Sequence, residues 1–100
     1  MKIEEAKKIA QRAINSLNGI DDESVLNDGR DEGDIVQNRR FVASASVVDR
    51  IERELASIEI EGVGSEKLDA AWRNASGMNQ HLLTVRMNRI IKYAGWILGL

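Results

Sequence analysis

Apolar residues recur at alternating three- and four-residue steps along most of this 100-residue chain, and this spacing predicts amphipathic helices. The first stripe predicts a helix over about residues 2–18, which Asn18 and Gly19 would end because glycine accepts the conformation of a C-terminal cap. The members of this stripe are Ile3, Ala6, Ala10, Ala13 and Leu17.

A second and longer stripe predicts a helix over about residues 35–60. Its members are Phe41, Ser44, Val48, Ile51, Leu55 and Ile58. The alternation from Ile58 to Glu61 would also suit a strand, but the unbroken helical spacing favours a helix that ends at Gly62 and Gly64.

Two further helices are predicted, over about residues 65–76 and 79–98. Ser65 and Asn79 are candidate caps, Gly77 is a candidate break, and one kinked helix remains an alternative. The last helix is apolar on more than one side, which is typical of a central helix. The prediction is therefore a single all-α domain over residues 1–100, a compact bundle of four to five helices without a well-supported strand.

Composition removes several classes of function. The chain has no cysteine and one histidine, His81, so thiolate sites and histidine zinc centres are excluded, and we expect no metal, no cofactor and no enzymatic activity. The most apolar stretch, 90–100, is about half as long as a membrane span. The N-terminus lacks the apolar segment of a signal peptide, so we expect a cytoplasmic protein that does not bind membranes.

The stretch 20–34 is predicted to be a long acidic loop. Residues 21–34 carry seven acids and one base, a net charge of −6, and neither Gly29 nor Gly33 places ligands in a calcium-loop register. Such a loop attracts Lys/Arg-rich surfaces, although it could also be a solvated segment that aids solubility. The candidate partner-binding residues are Asp21, Asp22, Glu23, Asp28, Asp31, Glu32 and Asp34.

The C-terminal third has the opposite charge, with a net charge of +3 over residues 64–100. Its basic residues could contact nucleic-acid phosphates, or they could pair with the protein's own acids. The alternative nucleic-acid-binding residues are Arg73, Arg86, Arg89 and Lys92. The aromatic residues lie on or beside apolar stripes and are predicted to pack in the core, with Trp96 the best candidate for an exposed apolar patch.

In overall character the chain is similar to small phage-encoded inhibitors of the anti-CRISPR type. The shared features are about 100 residues, no cysteine, mild acidity and a cluster of acids. The resemblance implies binding to a CRISPR effector whose channels are rich in Lys and Arg, and among such effectors we choose type I-F as the expected target. We therefore predict a non-enzymatic inhibitor that docks on a basic surface of another protein or protein–nucleic acid complex, with a small DNA-binding regulator as the alternative. The sequence does not indicate the oligomeric state.

Overall fold

A computed structural model describes residues 1–18, 20, 35–75 and 82–100, with the side chains of the second long range described from residue 44 onward. Four α-helices hold most of these residues: α1 (Ile3–Asn18), α2 (Ile35–Ala56), α3 (Ser65–Ala75) and α4 (Leu83–Leu98). No strand occurs within these ranges. The predicted all-α bundle is therefore confirmed.

Helix α4 lies at the centre of the bundle, since it packs against each of the other three helices. Its buried side chains are Leu83, Ile90, Tyr93, Ala94 and Ile97. These residues occupy more than one side of the helix, which explains why several helices can bury their apolar faces against it. The predicted central position of this helix is confirmed.

Helix α1 packs against both α4 and α2 through a face made mainly of alanine. Ala6 and Ala10 are fully buried, and Leu17 completes the face at the C-terminal end of the helix. Small side chains let helix axes approach closely, because the distance between packed helices depends on the residues at the contact. The predicted stripe of α1 is thus its buried face, with Ile3 only partly buried.

Helix α2 is shorter than predicted, since it ends at Ala56 and not near residue 60. The Ser57 hydroxyl donates a hydrogen bond of 2.7 Å to the Glu54 carbonyl at the end of the helix. Beyond it, Ile58 and Ile60 are both buried while Glu59 between them is exposed. That alternation has a period of two, which a helix cannot satisfy, and it overrides the helical continuation.

The connector between α2 and α3 is tied to the start of the chain. The Met1 ammonium group donates to the Glu59 carbonyl at 2.8 Å, and the Glu61 amide donates to the Met1 carbonyl at 2.8 Å. Gly62 then adopts a φ of 81°, a left-handed conformation that glycine accepts without steric cost. These contacts position Ile58 and Ile60 against the core.

Helix α3 begins at Ser65, as predicted, but its cap residue differs from the prediction, and α4 begins later than predicted. The Leu68 amide bonds to the Gly64 carbonyl, so Gly64 takes the cap position of α3 and Ser65 is its first helical residue. Leu82 precedes α4 in an extended conformation (ψ 135°), so the predicted helix over 79–98 is wrong at its N-terminal end and begins at Leu83. The predicted cap Asn79 and the predicted break Gly77 lie outside the described residues.

None of the described helices combines the length and the apolar character needed to cross a bilayer. Helix α4 is the most apolar of the four, yet it has 16 residues and carries three basic side chains.

Candidate functional site

The residues predicted to carry function fall into two groups. All seven candidate acids of the loop, Asp21 to Asp34, lie outside the described residues, and so does His81. The structure does describe the four basic residues of the alternative site. The structure brings two of them into contact with acidic and aromatic side chains of neighbouring helices. The sequence analysis allowed pairing with the protein's own acids but did not identify the partners.

Arg86 of α4 is engaged by two acids of α2. Its guanidinium forms ion pairs with the carboxylates of Asp49 and Glu52, and its Nε donates to Glu52 Oε1 at 2.9 Å. Burial alone would lower the pKa of Arg86, but the hydrogen bonds to Glu52 and Asp49 and their negative charge outweigh it and raise the pKa. Arg86 is therefore a cross-link between two helices, with 23% of its side chain exposed.

Arg89, one turn further along α4, is engaged by an aromatic ring. Its guanidinium carbon lies 3.8 Å from the centre of the Trp72 ring of α3, the geometry of a cation–π contact. Its Nε is buried and finds no hydrogen-bond partner among the described residues. Burial lowers the pKa of Arg89, and the negative charge of Glu52 opposes that effect.

The other two basic residues remain at the surface. Lys92 is exposed on α4, and Arg73 is exposed on α3, where its Nε donates to the Asp69 carbonyl at 3.4 Å. The four basic residues predicted for the alternative nucleic-acid site therefore do not present four equivalent cations. Two of them stabilise helix contacts, and two are available to solvent.

Three aromatic side chains form a row between α3 and α4. Trp72 and Tyr93 meet edge to face with ring centres 5.0 Å apart, and Tyr93 stacks on Trp96 at 6.1 Å. Such pairs contribute about 0.5–1.5 kcal/mol beyond the area they bury. Trp96 is partly buried against the core, so it does not form the predicted exposed apolar patch. Among the described residues, the exposed large apolar side chains are Ile91 and Leu100. The Phe41 side chain lies outside the described residues.

A cleft of about 510 Å³ opens beside this aromatic row, between the α2–α3 connector and α3. Sites for small ligands commonly have this size, with mostly apolar walls and a few polar groups. The walls contain no basic residue among those described. The lining residues are Ala56, Ile58, Glu59, Ile60, Val63, Ser65, Leu68, Asp69, Trp72 and Tyr93.

Tyr93 is the most buried of the residues that bring a polar side-chain group to the cleft. The residue is 3% exposed, and burial together with the negative charge of Asp69 raises the pKa of its hydroxyl. The sequence pattern marked Tyr93 only as a core residue. Its position beside Asp69 depends on how α3 docks on α4, which no local pattern specifies.

No group of three acidic or histidine side chains that could hold a metal ion occurs within the described ranges. In comparisons with family models, with curated proteins and with solved structures, nothing matches this chain.

The partly buried ion pair should couple more strongly than exposed pairs. In a double-mutant cycle, Arg86→Met with Glu52→Gln is expected to show a coupling of about 1–2 kcal/mol in urea denaturation. The exposed control pair Arg12 and Glu54, 3.7 Å apart, should couple by less than about 0.5 kcal/mol. Equal coupling in the two cycles would show that Arg86 does not cross-link the helices.

The single tyrosine of the chain allows a direct titration of Tyr93 by its absorbance near 295 nm. We expect the folded protein to ionise above the ordinary pKa of 10.0. Because the unfolded chain then releases this proton first, Tyr93 should make folding stability fall as the pH rises beyond 10.

The variant Asp69→Asn should lower the folded midpoint, since it removes the nearby negative charge. The control Glu66→Gln, on an exposed residue of the same helix, should leave the midpoint in place. An unchanged titration midpoint of Tyr93 in the Asp69→Asn variant would contradict the proximity of the Asp69 carboxylate to the Tyr93 hydroxyl.

Proposed function

We propose that this chain is a non-enzymatic binding protein that docks on a Lys/Arg-rich surface of another protein. The acids of the predicted loop, Asp21 to Asp34, would supply the contact. The mechanism is electrostatic, since a concentrated negative segment speeds the encounter with a basic surface and favours it over other surfaces.

The observation that carries this proposal is that two of the four basic residues of the alternative site are engaged by other residues of this chain. Arg86 is bound to Asp49 and Glu52, and Arg89 lies against Trp72. A phosphate would have to compete with carboxylates already in contact with Arg86. The rival function, a DNA-binding regulator, thereby loses two of its four cations, which leaves Arg73 and Lys92.

The distribution of charge supports the same reading. Residues 21–34 hold seven of the 16 acids and one of the 14 bases, so the rest of the chain is net positive. On the described helices both acids and bases occur, and pairs such as Arg12 with Glu54 lie within reach of each other. The acidic segment is thus the strongest single-sign charge that the sequence offers to a partner.

The similarity to small phage-encoded inhibitors gives this proposal a specific form. A CRISPR effector holds nucleic acid in channels rich in Lys and Arg, and an acidic loop seated there would exclude DNA or disturb guide contacts. A type I-F effector is the first candidate to test. In this form the protein is an inhibitor, and its partner is a protein–nucleic acid complex.

The proposal is tested with two variants of equal charge change. The first neutralises Asp28, Asp31, Glu32 and Asp34 to their amides, and the control neutralises the exposed acids Glu4, Glu5, Glu61 and Glu66 in the same way. Binding to a purified type I-F effector, and its loss of DNA binding, are measured at low and high salt. The tagged chain is also used to capture partners from its native host, and their association rates are compared.

The loop variant should associate at least about tenfold more slowly than the control at low salt, and the difference should shrink at high salt because exposed charges are screened. Equal binding by the two variants would contradict a role for the loop. If the chain does not bind the effector, but a captured partner associates more slowly with the loop variant than with the control, only the anti-CRISPR form of the proposal is rejected.

A further inference from the structure

The cleft between the connector and α3 has one wall that suits an aliphatic chain. Ile58, Ile60 and Leu68 line it and are each about 95% buried, and Val63 adds a further apolar contact. Burial of methylene groups on such a wall is favourable because it removes apolar surface from water. A short unbranched apolar stem would therefore be held by contact with these residues.

The polar end of the cleft offers acceptors that are not bonded to each other. One of them is the Tyr93 hydroxyl, since Tyr93 lines the cleft. Asp69 lines the same cleft and acts on Tyr93 through its charge. A ligand with more than one hydrogen-bond donor can bond to the carboxylate and the hydroxyl together.

The charge of the cleft selects the sign of the ligand. Its described lining holds two carboxylates, Glu59 and Asp69, and no base. The Met1 ammonium group donates to the Glu59 carbonyl but does not line the cleft. Asp69 is the acid whose charge acts on Tyr93. A donor that carries positive charge would satisfy both the carboxylate and the tyrosine oxygen.

We propose that this cleft binds a primary ammonium group carried on an aliphatic stem. The ammonium donates hydrogen bonds to the Asp69 carboxylate and the Tyr93 oxygen, and the stem lies along Ile58, Ile60 and Leu68. A lysine side chain of a protein and a free alkylamine share this chemistry. The site lies in the described helical body and does not depend on the acidic loop, so it stands or falls separately from the proposed function.

The test uses n-pentylammonium, its neutral counterpart pentan-1-ol, and Nα-acetyl-lysine N-methylamide as a model of a lysine within a protein. Binding is followed by the shifts of the Trp72 indole and of backbone amides over residues 58–72 in nitrogen–proton spectra of the full chain. A ligand this small should bind with a Kd on the order of 1–10 mM. We expect pentylammonium to bind at least about tenfold more tightly than pentan-1-ol.

Two variants locate the ammonium. Asp69→Asn should remove most of the preference for the amine over the alcohol, and Tyr93→Phe should reduce it by a factor of about three or more. The matched control Glu66→Gln removes a charge from the same helix outside the cleft and should leave the preference unchanged. Both carboxylate variants replace exposed side chains, so they should fold as the parent chain does.

Each outcome has a defined meaning. Binding of both amines supports a protein lysine as the occupant, and binding of pentylammonium alone supports a free amine. Equal binding of the amine and the alcohol would overturn the proposal, because the cleft would then recognise only the apolar stem. Absence of shifts around Tyr93 with either amine would overturn it as well.

Discussion

The central position of α4 is the constraint on which the rest of the structure depends. A helix that contacts three others must be apolar on several sides, yet α4 also carries Arg86 and Arg89. Charged groups that are partly withdrawn from water need a compensating partner. Glu52 and Asp49 of α2 supply it for Arg86, and the Trp72 ring of α3 supplies it for Arg89. The two arginines thereby help to set how α2 and α3 dock on the central helix.

The engagement of Arg86 and Arg89 by other helices affects which ligands the surface can bind. Arginines that hold helices together are poorly available to phosphates, so the basic C-terminal third is less suited to DNA than its net charge suggests. The opposite charge is concentrated in residues 21–34, and a second acidic feature, Asp69 beside Tyr93, lies in the cleft on the helical body. Both features favour cationic ligands. The proposed docking on a basic protein surface and the proposed ammonium site follow from that shared preference.

Much of the fold could be predicted from the sequence, because helical periodicity reports burial directly. The faces of α1 and α4, and the buried residues of α2 from Ser44 to Leu55, follow from spacing alone. The end of α2 could not be predicted, because Ile58 fits both the helical spacing from Leu55 and an alternating pattern with Ile60. Only the burial of both Ile58 and Ile60 shows that the alternating pattern applies. The cleft could not be predicted either, because Asp69 and Tyr93 are 24 positions apart and meet only through the docking of α3 on α4. The seven acids of the predicted loop site remain a prediction.

The most direct test of the central claim, that the arginines of α4 serve the fold and not nucleic acid, is the salt dependence of binding to a fluorescent DNA duplex. Anisotropy is measured across a range of salt for the parent chain and for a variant with Arg86→Gln and Arg89→Gln. The account predicts no specific duplex binding by the parent chain, and no change in any weak binding at low salt when the two arginines are replaced. Tight binding with a steep logarithmic salt slope that flattens in the variant would contradict it.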